Sequence, residues 1–186
     1  KKNKVLIFDE IPFVQIKIIM IYVFICTLIS AIYLFIYGGS LVSIIALTGF
    51  LGIYFYSTGA FSISKIFLGD FFSGFTIGGL ITWLAYYVQT GYIDENIILI
   101  SIPLIIYIGS VFLTDSLCDI KKDIRARETI PVLIGLDGTI DILKFAYIMM
   151  YTFVFLSIIL RTLPASMFLI FLSAPLIMKK LSLITA

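Results

Sequence analysis

The sequence predicts an all-α fold: a polytopic transmembrane helix bundle of six spans, with residues 1–186 forming a single domain. Three observations predict it. Hydrophobic residues make up 61% of the chain and charged residues only 13%, about half the share of a soluble domain. The mean hydropathy is +1.16, which excludes a soluble globular domain and a disordered or collagen-like chain. The apolar residues also run in long uncharged stretches, unlike the roughly ten-residue alternating segments of a membrane β-barrel. At about 20 residues per span the length allows roughly six helices and no soluble catalytic domain. Any chemistry therefore belongs at helix ends or inside the bundle.

The first span reads over residues 14–37 and is closed by Gly38-Gly39. A shorter second span covers 41–56. The third covers 71–91 and stops at Thr90-Gly91. It contains Gly74-Phe-Thr-Ile-Gly78, whose small residues read as close packing within the bundle in preference to a dimer face. The fourth covers 96–114, the fifth 142–160, and the sixth 163–178, with Pro164 at its start. No repeat, soluble linker or second domain interrupts them.

Missing residues narrow the chemistry. With no histidine, Ser-His-Asp and Cys-His catalysis, His-ligated zinc or haem, and histidine proton relays are all excluded. Cys26 and Cys118 read as two free thiols. The bilayer is the expected partner, and the net charge of +2 gives no reason to expect nucleic acid. The chain starts Lys1-Lys2-Asn3, with neither Met nor a signal-peptide pattern, so it is expected to be a fragment.

Charge orients the spans. If they alternate, 12 of the 13 basic residues fall on one side, and only Arg161 lies on the other. The positive-inside rule makes the crowded side cytoplasmic, with both chain ends there. The location expected is the cytoplasmic membrane of a prokaryote.

That side also holds the least apolar segment, the 115–141 loop. Asp115, Asp119 and Asp123 recur every four residues directly after a span. On a helix they share one face, about 6 Å apart along the axis. A cation would relieve their mutual repulsion. Carboxylates without Cys or His suit a hard ion such as Mg²⁺, which commonly completes its shell with water and substrate phosphate. Lys121, Lys122, Arg125 and Arg127 stand ready for phosphate oxygens. The same residues also fit a solvated loop whose acids and bases pair locally at i,i+3 or i,i+4.

The 57–70 loop, on the same side, carries one lysine, Lys65. It reads either as an orientation charge or as a phosphate ligand facing the Asp row. Tyr56, Tyr86, Tyr87 and Tyr107 lie near span ends, where aromatic belts form. One facing a cavity would stabilise a cationic intermediate.

Two blocks carry a family resemblance. The first runs from Tyr56 through Gly69-Asp-Phe-Phe to Tyr86-Tyr-Val-Gln-Thr-Gly91. The second runs from Asp119-Ile-Lys-Lys-Asp123 through Thr129-Ile-Pro-Val-Leu-Ile-Gly135. In these blocks the chain resembles the UbiA superfamily of intramembrane prenyltransferases, most of all the 1,4-dihydroxy-2-naphthoate polyprenyltransferases of menaquinone synthesis. The resemblance implies a nine-helix family fold, of which these six spans are helices three to eight. A first Asp motif would then lie upstream of Lys1. It implies Mg²⁺-dependent transfer of a polyprenyl group from polyprenyl diphosphate to an aromatic, dihydroxynaphthoate-like acceptor. Asp119 and Asp123 would serve Mg²⁺–diphosphate binding or acceptor activation, with Asp115 a further member of the row. Lys65 would bind diphosphate, and Tyr56 would line the cavity. A sibling enzyme using a hydroxybenzoate, a haem precursor or a glycerol phosphate lipid stays open, as does a catalytically degenerate or non-enzymatic membrane protein.

Overall fold

The computed structural model describes residues 13–57, 62–124 and 127–184. Among these the structure is helical, and five helices are long and apolar enough to cross a membrane. The chain is an integral membrane protein. It forms two compact units, residues 1–44 and 45–186.

The first unit is dominated by α1 (Phe13–Tyr37), none of whose residues is buried. In water such a surface would be untenable, whereas in lipid it is ordinary. Gly39, with φ +77°, turns the chain into α2 (Gly39–Ser57).

The second unit is built on α3 (Gly69–Thr90), α4 (Glu95–Cys118) and α6 (Ile130–Ile159). Lipid offers no hydrophobic drive for helices to associate, so close backbone approach has to supply the contact. The Gly-x-x-x-Gly segment does this within the chain. A β-carbon on Gly74 would lie 2.6 Å from the Ile105 carbonyl oxygen, and one on Gly78 would lie 2.6 Å from the Ile105 amide nitrogen. The segment falls where α3 widens into a π-helical turn, Phe75–Leu80. Asp94 caps α4 by accepting a 2.9 Å hydrogen bond from the Ile97 amide, and Tyr86 Oη donates to its other oxygen at 3.1 Å. Trp83 Nε1 donates across the same pair of helices to Ser101 Oγ, at 2.9 Å.

Three boundaries differ from the sequence reading. The fourth span runs on to Cys118. The 115–141 loop is therefore mostly helix: α4 gives way at Asp119 to the short α5 (Ile120–Asp123), and α6 starts at Ile130. Thr129 in extended conformation and Pro131 in the first turn start α6 early. Gly135, at φ +76° and ψ −176°, kinks it without ending it. The sixth stretch forms a 3₁₀ run, Ala165–Ser173, that passes into α7 (Ala174–Ile184). A core of Leu113, Leu117, Ile140, Leu143 and Leu181 ties α4, α6 and α7 together at the end where the acidic residues gather. Both cysteines are free and exposed, as expected.

Candidate active site

The second unit brings four pieces of chain to one end of α3 and α4. The connection ahead of α3 forms a 3₁₀ turn, Ile63–Lys65, steadied by Ser62 Oγ donating to the Tyr56 carbonyl at 2.9 Å. It pairs with the segment ahead of α6: the Glu128 amide donates to the Lys65 carbonyl at 2.7 Å, in a parallel bridge between Ile66 and Glu128. The Lys65 turn thus meets the chain at Glu128, five residues past Asp123 in sequence. The Lys65 side chain is exposed.

The Asp row is only partly one face. Asp119 accepts from the Asp123 amide and donates to the Asp115 carbonyl, at 3.1 and 3.0 Å, so the four-residue spacing is kept. Yet Asp119 sits at φ −97° and ψ 6°, outside helical geometry, and the three side chains diverge in environment. Asp115 is exposed. Asp119 is half-buried, with Lys122 Nζ 3.0 Å away. Asp123 is buried at 7% exposure, with Arg127 Nε 3.8 Å away. The local i,i+3 and i,i+4 pairing that the spacing also allowed is therefore present. Arg125 lies outside the described residues.

The structure adds a residue that spacing did not single out. Asp70, in the first turn of α3, accepts a 3.0 Å hydrogen bond from Ser116 Oγ on α4. Asp123, Asp115 and Arg127 all act on it electrostatically. Gly69 before it fits so closely under the loop that a β-carbon would lie 2.8 Å from the Ile63 carbonyl oxygen. Asp70 lines one end of an apolar cavity of about 330 Å³, walled by α4 and α6 residues including Ile105, Gly109, Ile130, Phe145 and Met149. Its volume lies at the lower end of the range for small-molecule sites. Tyr56 lines a separate, smaller cavity with Phe72, Thr76 and Phe112. There the buried Thr76 hydroxyl has no hydrogen-bond partner among the described residues.

Among the described residues no three acidic or sulfur side chains converge closely enough to cage a metal ion. The donors present are carboxylate oxygens, which suit Mg²⁺, and Mg²⁺ is ordinarily held by one or two carboxylates with water and phosphate completing the shell. Among the described residues there is no closed protein cage, so an ion here would have to be shared with a phosphate ligand.

The chain is 31% identical over 135 residues to the 1,4-dihydroxy-2-naphthoate octaprenyltransferase of Bacillus subtilis (strain 168). The match covers 70% of this chain and 43% of that protein, so the chain spans less than half the length of this curated relative. No solved structure matches it. The model of the UbiA prenyltransferase family matches residues 13–184, and the chain belongs to that family.

Proposed function

We propose that this chain forms part of an intramembrane enzyme that transfers a polyprenyl group from its diphosphate to an aromatic acceptor in menaquinone-type quinone synthesis. The observation that carries the reading is an apolar cavity within a membrane bundle, ending at a carboxylate beside a surface rich in acids and bases. Kinship with a naphthoate octaprenyltransferase supports the same reading and points to a dihydroxynaphthoate as the acceptor.

The reaction breaks the bond between prenyl C1 and oxygen, and the electron pair leaves on diphosphate. A ring carbon of the acceptor bonds to C1, and the ring regains aromaticity by losing the proton, or the carboxyl group as carbon dioxide, from that carbon. Asp119 and Asp123 would hold Mg²⁺ together with diphosphate, and Asp115 extends the row. Bound there, Mg²⁺ supplies positive charge to the leaving diphosphate. Lys65, exposed on the same surface, adds a cation for the phosphate oxygens. The apolar walls exclude water from the allylic cation. The Tyr56 ring borders the neighbouring cavity, where an aromatic face favours cationic carbon. The charged end faces the cytoplasm, where the basic residues concentrate.

The test is transfer from labelled polyprenyl diphosphate to 1,4-dihydroxy-2-naphthoate by the full-length protein in membranes. Product that forms with Mg²⁺, disappears with EDTA, and is abolished by Asp119→Asn and by Asp123→Asn at unchanged expression is the expected result. Near-normal turnover of both variants refutes the metal assignment. Transfer to 4-hydroxybenzoate alone refutes the acceptor.

A further inference from the structure

We propose that Asp70 is the group that recognises the acceptor: its carboxylate, steadied by Ser116, accepts a hydrogen bond from a ring hydroxyl at one end of the apolar cavity. The inference rests on the prenyltransferase reading and deepens it. The cavity presents almost no polar surface: its walls are Ile105, Ile106, Leu113, Ile130, Phe145 and their neighbours, and the one polar side chain on them besides Asp70, Ser110, is buried with its hydroxyl donating to the Ile106 carbonyl. An aromatic acceptor with ring hydroxyls cannot satisfy them against such walls. A hydroxyl buried unpaired loses its bonds to water without replacement. Asp70 supplies the missing acceptor atom. One of its oxygens is occupied by the Ser116 hydroxyl at 3.0 Å. The other takes no hydrogen bond from a described residue, which leaves it for a ligand.

The placement also gives orientation. Ser116 on α4 and the close seat of Gly69 under the Ile63 carbonyl fix the first turn of α3 against its neighbours. A hydroxyl docked on Asp70 therefore points the ring down the cavity between α4 and α6. The same end lies in the field of Asp123 and Arg127, beside the surface assigned to diphosphate. Acceptor and leaving group would then meet at one end, with the ring on the apolar side. Asp119 and Asp123 serve the diphosphate, and Asp70 serves the acceptor.

The test separates the two substrates. The full-length protein is assayed in membranes with 1,4-dihydroxy-2-naphthoate, with its O-methylated analogue, and with varied polyprenyl diphosphate. Asp70→Asn should lower kcat/KM for the naphthoate about 10- to 100-fold, the range expected for loss of a charged hydrogen bond. The KM for polyprenyl diphosphate should change by less than about twofold. Asp70→Glu should restore much of the loss, and Ser116→Ala should show a smaller defect in the same parameter. The wild type should prefer the free hydroxyls over the methylated analogue, and Asp70→Asn should erase that preference. An active wild type whose Asp70→Asn variant keeps that preference, or loses both substrates equally, overturns this inference and leaves the prenyltransferase reading standing. A wild type that transfers no prenyl group to any aromatic acceptor overturns both.

Discussion

Replacing Gly78 by alanine tests the packing that positions the site. A methyl group at Gly78 would lie 2.6 Å from the Ile105 amide nitrogen, 2.7 Å from the Ile105 α-carbon and 2.7 Å from the Leu104 carbonyl carbon. All three neighbours are backbone, so no side chain can swing aside. Carbon atoms pack best at about 3.5–4.0 Å, so α3 has to retreat from α4 by about 1 Å. A gap of that size forfeits about a quarter to a half of the dispersion energy at the crossing, and strain of this kind costs about 1–3 kcal/mol. Alanine's better helix propensity offsets about 1 kcal/mol of that. Two controls grade the effect. Gly49→Ala, with nothing within 4 Å, should be neutral or slightly stabilising. Gly79→Ala meets side chains alone, the tip of Ile105 at 3.2 Å and the Phe75 ring at 3.6 Å, and should fall between them. The assay is the denaturation midpoint of the full-length protein in mild detergent, read alongside prenyl transfer. Gly78→Ala should be the least stable and should also lose activity, because Asp70 and Ser116 sit on the two helices it separates. A Gly78→Ala protein as stable as Gly49→Ala refutes the reasoning.

Gly135 should also resist substitution, for a different reason. Nothing lies within 4 Å of its absent side chain, yet φ +76° with ψ −176° is a conformation open almost only to glycine. Gly135→Ala should cost about 1–3 kcal/mol through backbone strain alone, measured by the same denaturation midpoint. Asp94 gives a pH signature at the opposite end of α3. The Ile97 amide bonded to its carboxylate holds its pKa below the ordinary value of 3.8. A depressed pKa means that its stabilising contribution is present above about pH 4 and is lost as pH falls through the lower, folded-state value. Asp94→Ala should therefore be less stable than wild type at pH 7, and the gap between them should close on acidification below about pH 4. A gap that stays constant to pH 3 rules out the cap as its source.

Much of the fold was legible because span formation is a property of composition, and composition is local. The long apolar stretches, their Gly and Pro ends and the small-residue face at Gly74 and Gly78 could all be read from neighbours in sequence. The 115–141 region was misread for a physical reason. Gly135, Asp137, Gly138 and Asp141 are loop-forming residues by propensity. The packing of Ile140 and Leu143 against Leu113, Leu117 and Leu181 overrides them. The π-helical turn, Phe75–Leu80, leaves no mark in composition.

The site was legible in its parts and not in its assembly. Four-residue spacing found Asp115, Asp119 and Asp123 because that period is visible within one helix. Asp70 stands 46 residues from the serine it bonds, and only folding joins them. The signal that was available is an acid placed immediately after Gly69, at the threshold of an apolar span. A carboxylate there has no local reason to be tolerated and calls for a partner from elsewhere in the fold. The bridge between Ile66 and Glu128 was equally invisible, since it joins two loops through a backbone hydrogen bond to the Lys65 carbonyl. Those two long-range contacts set the division of labour proposed here. The Glu128 bridge ties the Lys65 loop to the segment that follows Asp123, where the proposal places the diphosphate. The Ser116 contact holds one oxygen of Asp70, a residue that also lines the cavity, where the proposal places a neutral hydroxyl. On that proposal, one end of the bundle would hold a polyanion and an aromatic alcohol side by side, because its carboxylates are presented on different elements.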